Sequence, residues 1–232
     1  MSASFGAMME NGDVALELEG EHVVLMPEHA LWMPERKTLL VADTHFGKAA
    51  TFRAGGIFVP RGTTATTLAR LERALARTNA TRVVFLGDLL HAREGRSPET
   101  LRLVADWRAS RAEVEVVLVR GNHDRSAGDP PESLGIACVD APLVEGAFAF
   151  THHPRVVEGH YDIAGHVHPA VRLHGRGRQW ERLPCFWVRR DGMVLPAFGD
   201  FTGLGDIELA EGDRAFAVAD GAVVEIAVER VV

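Results

Sequence analysis

Val114-Glu115-Val116-Val117-Leu118-Val119-Arg120-Gly121-Asn122-His123-Asp124 is a strand that runs into a turn. Its first six residues are largely apolar and β-branched enough for a buried strand, and further polar residues follow where that strand must stop. Open α/β sheets place their chemistry at the carboxyl ends of such strands. Two earlier segments repeat the pattern. Thr38-Leu39-Leu40-Val41-Ala42 leads into Asp43-Thr44-His45, and Arg82 to Leu86 leads into Gly87-Asp88-Leu89-Leu90-His91. Neither run alternates, as expected of central strands covered on both faces.

Helical patterns separate these strands. Thr63 to Arg77 carries Leu68, Leu71 and Leu75 on one face, and Ser97-Pro98-Glu99 is a helix start with a capping serine and proline at the first position. That helix should run to about Ser110. The order β-α-β-α-β predicts a parallel sheet with right-handed crossovers. Phe46 to Gly62 reads as a long loop. Upstream, Val14 to Leu18 and His22 to Met26 read as short strands. Beyond Asp124 the chain becomes strand-rich, with segments at Ile136–Val139, Ala147–Thr151, Tyr161–Ala164, Ala170–Leu173, Phe186–Arg190, Met193–Leu195, Ala215–Val218 and Val223–Val228. The expected architecture is one α/β domain spanning 1–232, a β-sandwich of two packed mixed sheets flanked by helices.

With 232 residues and mixed charge, this is the composition of a soluble globular protein. No apolar run reaches the length of a membrane span, and the first residues lack the pattern of a signal peptide, so a cytoplasmic location is expected. The two cysteines, Cys138 and Cys185, share no metal-type spacing and read as small apolar residues. A net charge of −7 argues against general sticking to nucleic acid. Charge is unevenly spread, however. Six arginines and one acid lie between Arg172 and Arg190, and seven acids and one arginine between Asp206 and Glu229. The arginine-rich stretch is either a phosphate-binding patch or a solvated face.

Five clusters of Asp and His stand out: Asp43-x-His45, Gly87-Asp88-x-x-His91, Gly121-Asn122-His123-Asp124, His152-His153 and Gly165-His166-x-His168. Residues two apart in an extended segment point the same way, so Asp43 with His45, and His166 with His168, can line one side of a metal centre. Carboxylates, imidazoles and one amide suit Mn, Fe or Zn better than Ca. Singly, each cluster has an ordinary explanation as a cap, a loop pair or a surface histidine. Five in this order, most at strand ends, do not.

As a set these motifs resemble the calcineurin-like metallophosphoesterases over Leu39 to about Pro169. The resemblance implies a dinuclear site for two divalent ions, Mn2+ being the first expectation, with Asp43, His45 and His168 on one metal, Asn122, His152 and His166 on the second, and Asp88 bridging. Such ions, ~4 Å apart, share a hydroxide for in-line attack on phosphorus. His123 would hold or protonate the leaving oxygen, worth ~10²–10⁴-fold. Asp124 would either orient His123 or cap the following segment. His91 stands where the wider family often has Asp, and reads as a group behind the ligands or facing substrate. His153 is an alternative to His152.

Ala42-Asp43-Thr44-His45-Phe46-Gly47-Lys48-Ala49-Ala50-Thr51-Phe52-Arg53-Ala54-Gly55-Gly56-Ile57, with Val59-Pro60, Gly62, Pro196-Ala197-Phe198-Gly199 and Phe201-Thr202-Gly203, resembles a narrower branch, the ligase-associated DNA damage response endonucleases. This implies a DNA nuclease in repair, associated with a DNA ligase and a helicase-like protein, and makes Lys48, Arg53 and Arg61 candidate phosphate contacts. Leu204-Gly205 departs from the branch's pattern, where a second glycine would follow Gly203. A small phosphoester substrate is the alternative, and a non-catalytic scaffold a third reading.

Overall fold

The computed structural model describes residues 7–8, 11–59, 62–174 and 180–227. The first half of the chain builds a sheet strand by strand. β1 (Ala7–Met8), β2 (Val14–Leu18), β3 (Glu21–Met26), β4 (Ala30–Met33) and β5 (Thr38–Val41) form an antiparallel meander. β6 (Arg82–Leu86), β7 (Glu115–Val119) and β8 (Ala137–Val139) then add to β5 in parallel. The crossovers carry α1 (Lys48–Ala54), α2 (Thr63–Thr78), α3 (Pro98–Ser110) and α4 (Asn122–Ala127).

The remaining strands are β9 (Leu143–Glu145), β10 (Phe148–Phe150), β11 (Tyr161–Ala164), β12 (Pro169–His174), β13 (Trp180–Val188), β14 (Gly192–Val194), β15 (Gly205–Asp206), β16 (Arg214–Ala219) and β17 (Ala222–Ile226). They form a second sheet in the order β15-β12-β13-β14-β11-β10-β9, with β16 on β13 and β17 on β16. Its β10-β11-β14 segment is parallel. The expected pair of mixed sheets with flanking helices is what the chain forms.

Period-two geometry sorts the central strands between two cores. Leu40, Val84, Leu86, Val117 and Val119 face Phe148, Phe150, Ile163, Phe186 and Met193 across the sheet interface. Leu39, Val41, Val83, Phe85, Val116 and Leu118 face the helices, against Leu68, Leu71, Leu75, Val104 and Trp107. Both faces of β5, β6 and β7 are therefore buried. Ser97 caps α3 by accepting from the Thr100 amide at 3.2 Å.

One expectation fails. The stretch from Phe46 to Gly62 is not all loop, because α1 lies within it. Lys48, Ala49, Ala50, Arg53 and Ala54 are good helix formers, and the flanking glycines that read as loop instead bound the helix, Gly47 in the left-handed region at φ 82°. β13 also begins at Trp180, earlier than its apolar core, because pairing with β12 carries it outward through Arg182 and Glu181. Cys138 and Cys185 are free thiols. No helix among the described residues is long and apolar enough to cross a membrane.

Candidate metal centre

Parallel pairing of β5, β6 and β7 puts Asp43, Asp88 and Asn122 at one edge of the first sheet. Parallel pairing of β10 and β11 brings His152 and His166 to the same edge from the second. The loops after β5 and β6 are joined by main-chain hydrogen bonds, Asp43 N–H to the Gly87 carbonyl, His45 to Asp88 and Phe46 to Leu89, at 3.3, 2.9 and 2.8 Å. Asp43, His45, Asp88, His166 and His168 all have positive φ, between 44° and 69°. Non-glycine residues persist there only when their surroundings hold them, and such strain collects at functional sites.

Gly121 is not a turn-maker of that kind. Its φ is −93°, and its small size is what matters, since a Cβ there would lie 2.3 Å from Asp88 Oδ1. Gly87 meets both demands. It has φ 80°, and a Cβ would lie 2.2 Å from His152 Nδ1.

The ring tautomers argue for a cation. His152 Nδ1 lies 2.9 Å from the Leu86 carbonyl, which can only accept, so that nitrogen carries the proton. A neutral His152 then turns a bare Nε2 toward Asn122 Oδ1 at 2.9 Å, Asp88 Oδ1 at 3.3 Å and His166 Nδ1 at 3.2 Å. The same reasoning applies to His168. Its Nδ1 donates to the Gly203 carbonyl at 3.1 Å, and its Nε2 lies 3.4 Å from Asp43 Oδ1. That oxygen is buried and has no hydrogen-bond partner among the described residues. Carboxylate and amide oxygens converging with imidazole nitrogens fit a site built for positive charge.

Ligand atoms of Asp43, His45 and His168 lie within 4.8 Å of one another, as do those of Asp43, Asp88 and His152 and those of His152, His153 and His166. Asp88 sits between the groups, with Oδ1 near His152 and Oδ2 3.8 Å from His45 Nε2. Burial pushes the Asp88 carboxyl up, but His152, His45 and the His123 amide outweigh it and hold it down to about 2. Burial, only partly offset by Asp88, holds the His45 imidazole down to about 2, so its lone pair is available. For His152 burial acts downward, yet Asp88 and Asp43 raise its pKa. These carboxylates draw a proton onto that ring, in the place a metal would take. His152 is buried and points inward, whereas His153 is exposed, its ring centroid 4.0 Å from that of His166.

His123 and Asp124 take separate paths. His123 Nδ1 donates to the His91 carbonyl at 2.6 Å, and its Nε2 looks into the cluster, 3.9 Å from Asp88 Oδ2. The Asp124 carboxylate does not bond the His123 ring. It accepts from the amides of Gly121, Asp88, Leu89 and Leu90, at 2.9, 2.7, 3.0 and 3.4 Å. Of the two expectations for Asp124, the cap is what the geometry displays, and the reach is longer than one helix. The reason is direction: Asp124 points back over the start of α4, while His123 points away from it.

His91 packs behind the cluster, its Nδ1 3.3 Å from His45 Nδ1 and its ring stacked on His123 with centroids 4.8 Å apart. The Lys48 ammonium lies 5.9 Å from the Phe52 ring centre. Burial lowers its pKa against the opposing pull of Asp43 and Asp88. The Arg53 guanidinium reaches back to the Val59 carbonyl at 3.5 Å. Arg61 lies outside the described residues.

Several contributors lie outside the five Asp and His clusters. The 196–205 loop braces the site, with Phe198 and Gly199 amides donating to the Ala42 and Asp43 carbonyls at 2.8 and 3.1 Å, and Gly203 orienting His168. Arg70 anchors that loop through the Phe198 carbonyl and Asp200. Asp162 accepts from Thr151 Oγ1 at 2.7 Å and from the Arg155 amide at 2.9 Å, clamping both ends of the turn that presents His152. A cavity of about 410 Å³ opens beside Asn122 and His152, walled also by Gly121, Ala141, His153 and three arginines, Arg120, Arg125 and Arg155. No motif marks these arginines, which come from separate segments.

Comparison with known proteins agrees with this edge of the fold. A solved structure described as Pseudomonas putida nuclease MPE is 44% identical, with a TM-score of 0.82, over 92% of this chain and 100% of that one. A looser match, at 15% identity and a TM-score of 0.43, is to Yfce, a phosphoesterase from E. coli, covering 83% of this chain and 99% of that one. A search of curated proteins finds no match. The sequence profile of the calcineurin-like phosphoesterases matches residues 36–182, the span that supplies every Asp, Asn and His of the cluster itself. This chain belongs to the calcineurin-like phosphoesterase family and is a phosphoesterase hydrolase.

Proposed function

We propose that the chain is a two-metal phosphodiesterase that cuts DNA, acting in repair, with Asp43, His45, His168, Asn122, His152 and His166 as ligands and Asp88 between the metals. The reading is carried by one observation: Nε2 of His152 and Nε2 of His168 face Asp88, Asn122 and the buried Asp43 Oδ1 at one pole. The 44% identity to a nuclease over nearly the whole chain supports the substrate class. Mn2+ is the proposed native ion, in keeping with a mixed nitrogen and oxygen donor set.

Two divalent ions, when bound, make a water nucleophilic near neutral pH and neutralise phosphoryl oxygens. The protein's own groups do the rest. Asp88 divides its two oxygens between the ligand groups. His91 holds His123 through its carbonyl, so the His123 Nε2 faces the reacting phosphate and carries a proton to the leaving oxygen. Lys48 adds a point charge beside Asp43 and Asp88.

The net charge of −7 favours a small phosphoester instead. The deciding experiment loads purified protein with Mn2+, measures bound metal, and assays a chromogenic phosphodiester beside single-stranded, duplex and nicked DNA. Cleavage of the diester with neither binding nor cutting of DNA at low salt would leave the small-substrate reading standing. Equal activity in the parent, Asp88→Asn and His123→Ala would remove the mechanism altogether. A cytoplasmic setting beside a DNA ligase and a helicase-like protein belongs to the same reading, and co-purification with those proteins tests it.

A further inference from the structure

The cavity beside Asn122 and His152 lies outside the ligand cluster but shares those two residues with it. Its volume of about 410 Å³ is much larger than a phosphoryl group needs and falls within the range of small-molecule pockets, roughly 300–1,000 Å³. Arg120 is committed, its guanidinium forked onto Asp129 with both contacts at 2.7 Å. Arg125 and Arg155 are not. Arg125 is mostly exposed, and its ion pair among the described residues is with the exposed Asp140, at 3.7 Å. The Arg155 guanidinium makes no hydrogen bond or ion pair with the described residues and stands at the exposed end of the turn that Asp162 clamps.

We propose that this cavity is a subsite for the nucleotide next to the scissile phosphate, with Arg125 and Arg155 gripping the neighbouring phosphate of the strand. The proposal rests on the nuclease reading and deepens it. A small phosphodiester carries no second phosphate for Arg125 and Arg155 to hold. A nucleic acid strand has a further phosphate to place, and a guanidinium fork matches its paired oxygens. On a chain of net charge −7, such local cations are how a polyanion is retained. Arg120, tied to Asp129, is part of the cavity wall beside them.

The test is the double variant Arg125→Ala/Arg155→Ala, compared with the parent on a single-stranded oligonucleotide over a salt series and on a chromogenic phosphodiester, both with Mn2+. The expected result is an oligonucleotide KM raised about tenfold, a salt dependence flatter by about one to two in log–log slope, and a chromogenic rate within about twofold of the parent. The unchanged chromogenic rate also establishes that the variant is folded. An unaltered KM and slope would overturn the subsite while leaving the nuclease reading intact. Equal losses on both substrates would also overturn it, by assigning the arginines to the metal centre or the fold. If the parent itself cuts the chromogenic diester but no DNA, the nuclease reading falls and the subsite with it.

Discussion

Asp124 is buried, and its carboxylate has a larger task than its place next to His123 implies. Four amides from two loops end on it, so it ties Asp88 to the start of α4. Asp124→Asn keeps the shape but turns an amide N–H₂ toward N–H donors. It should cost about 1–3 kcal/mol in urea unfolding, and an unchanged midpoint would show that the tie is dispensable. His123 differs, because its ring is held by a carbonyl and bears no fold-wide load. His123→Ala should lower kcat by ~10²–10⁴-fold while bound Mn2+ per chain stays constant. Loss of the metal instead would make His123 a ligand. Both roles lie in neighbouring residues of one motif, and only the direction of each side chain separates them.

At the scale of elements, the 196–205 loop acts as a brace rather than a bystander. Gly199 packs so closely that a Cβ would sit 2.3 Å from the Thr44 carbonyl oxygen. Gly199→Ala should push the loop off Asp43 and weaken Mn2+ binding, on the order of 10–100-fold, although no ligand changes. Titration by calorimetry checks this, and parental affinity would deny the brace its role. The same loop receives His29, whose Nδ1 donates to the Ala197 carbonyl at 2.8 Å. Desolvation holds the His29 imidazole down to about 4, against the pull of that carbonyl. The folded protein therefore refuses a proton that the unfolded chain accepts below about 6.5, and stability falls as pH drops from about 6.5 toward 4. His29→Gln should flatten that part of the stability profile. A profile identical to the parent's would contradict the assignment.

For the whole molecule, the site lies where two sheets meet, so metal and fold are linked. Five residues at that edge sit in left-handed backbone conformations, and Asp43 Oδ1 is buried without a partner. Filling the site should relieve that mismatch. Mn2+ at a hundred times its dissociation constant should add about 2.7 kcal/mol per independent site, seen as a raised Tm that a chelator reverses. A Tm indifferent to both would mean the cluster holds no metal in the folded state.

Much of this was legible from order and spacing. The apolar runs ending in Asp43, Asp88 and Asn122 follow from period and burial, and a parallel sheet then has to gather those ends along one edge. The motif set by itself resembles that of the family. What sequence distance conceals is the pairing between remote segments. His166 meets Asp43 across 123 positions, His168 meets Gly203 across 35, and Arg120, Arg125 and Arg155 share a cavity without sharing a motif. The helix α1 was hidden by its flanking glycines, and the dual reach of Asp124 by the absence of any local signal for a contact 36 positions away. The sequence by itself determined which residues stand at strand ends, because hydrophobic period is a local property. Only the tertiary structure decided which atoms face one another there, because that depends on how two sheets and their loops close together.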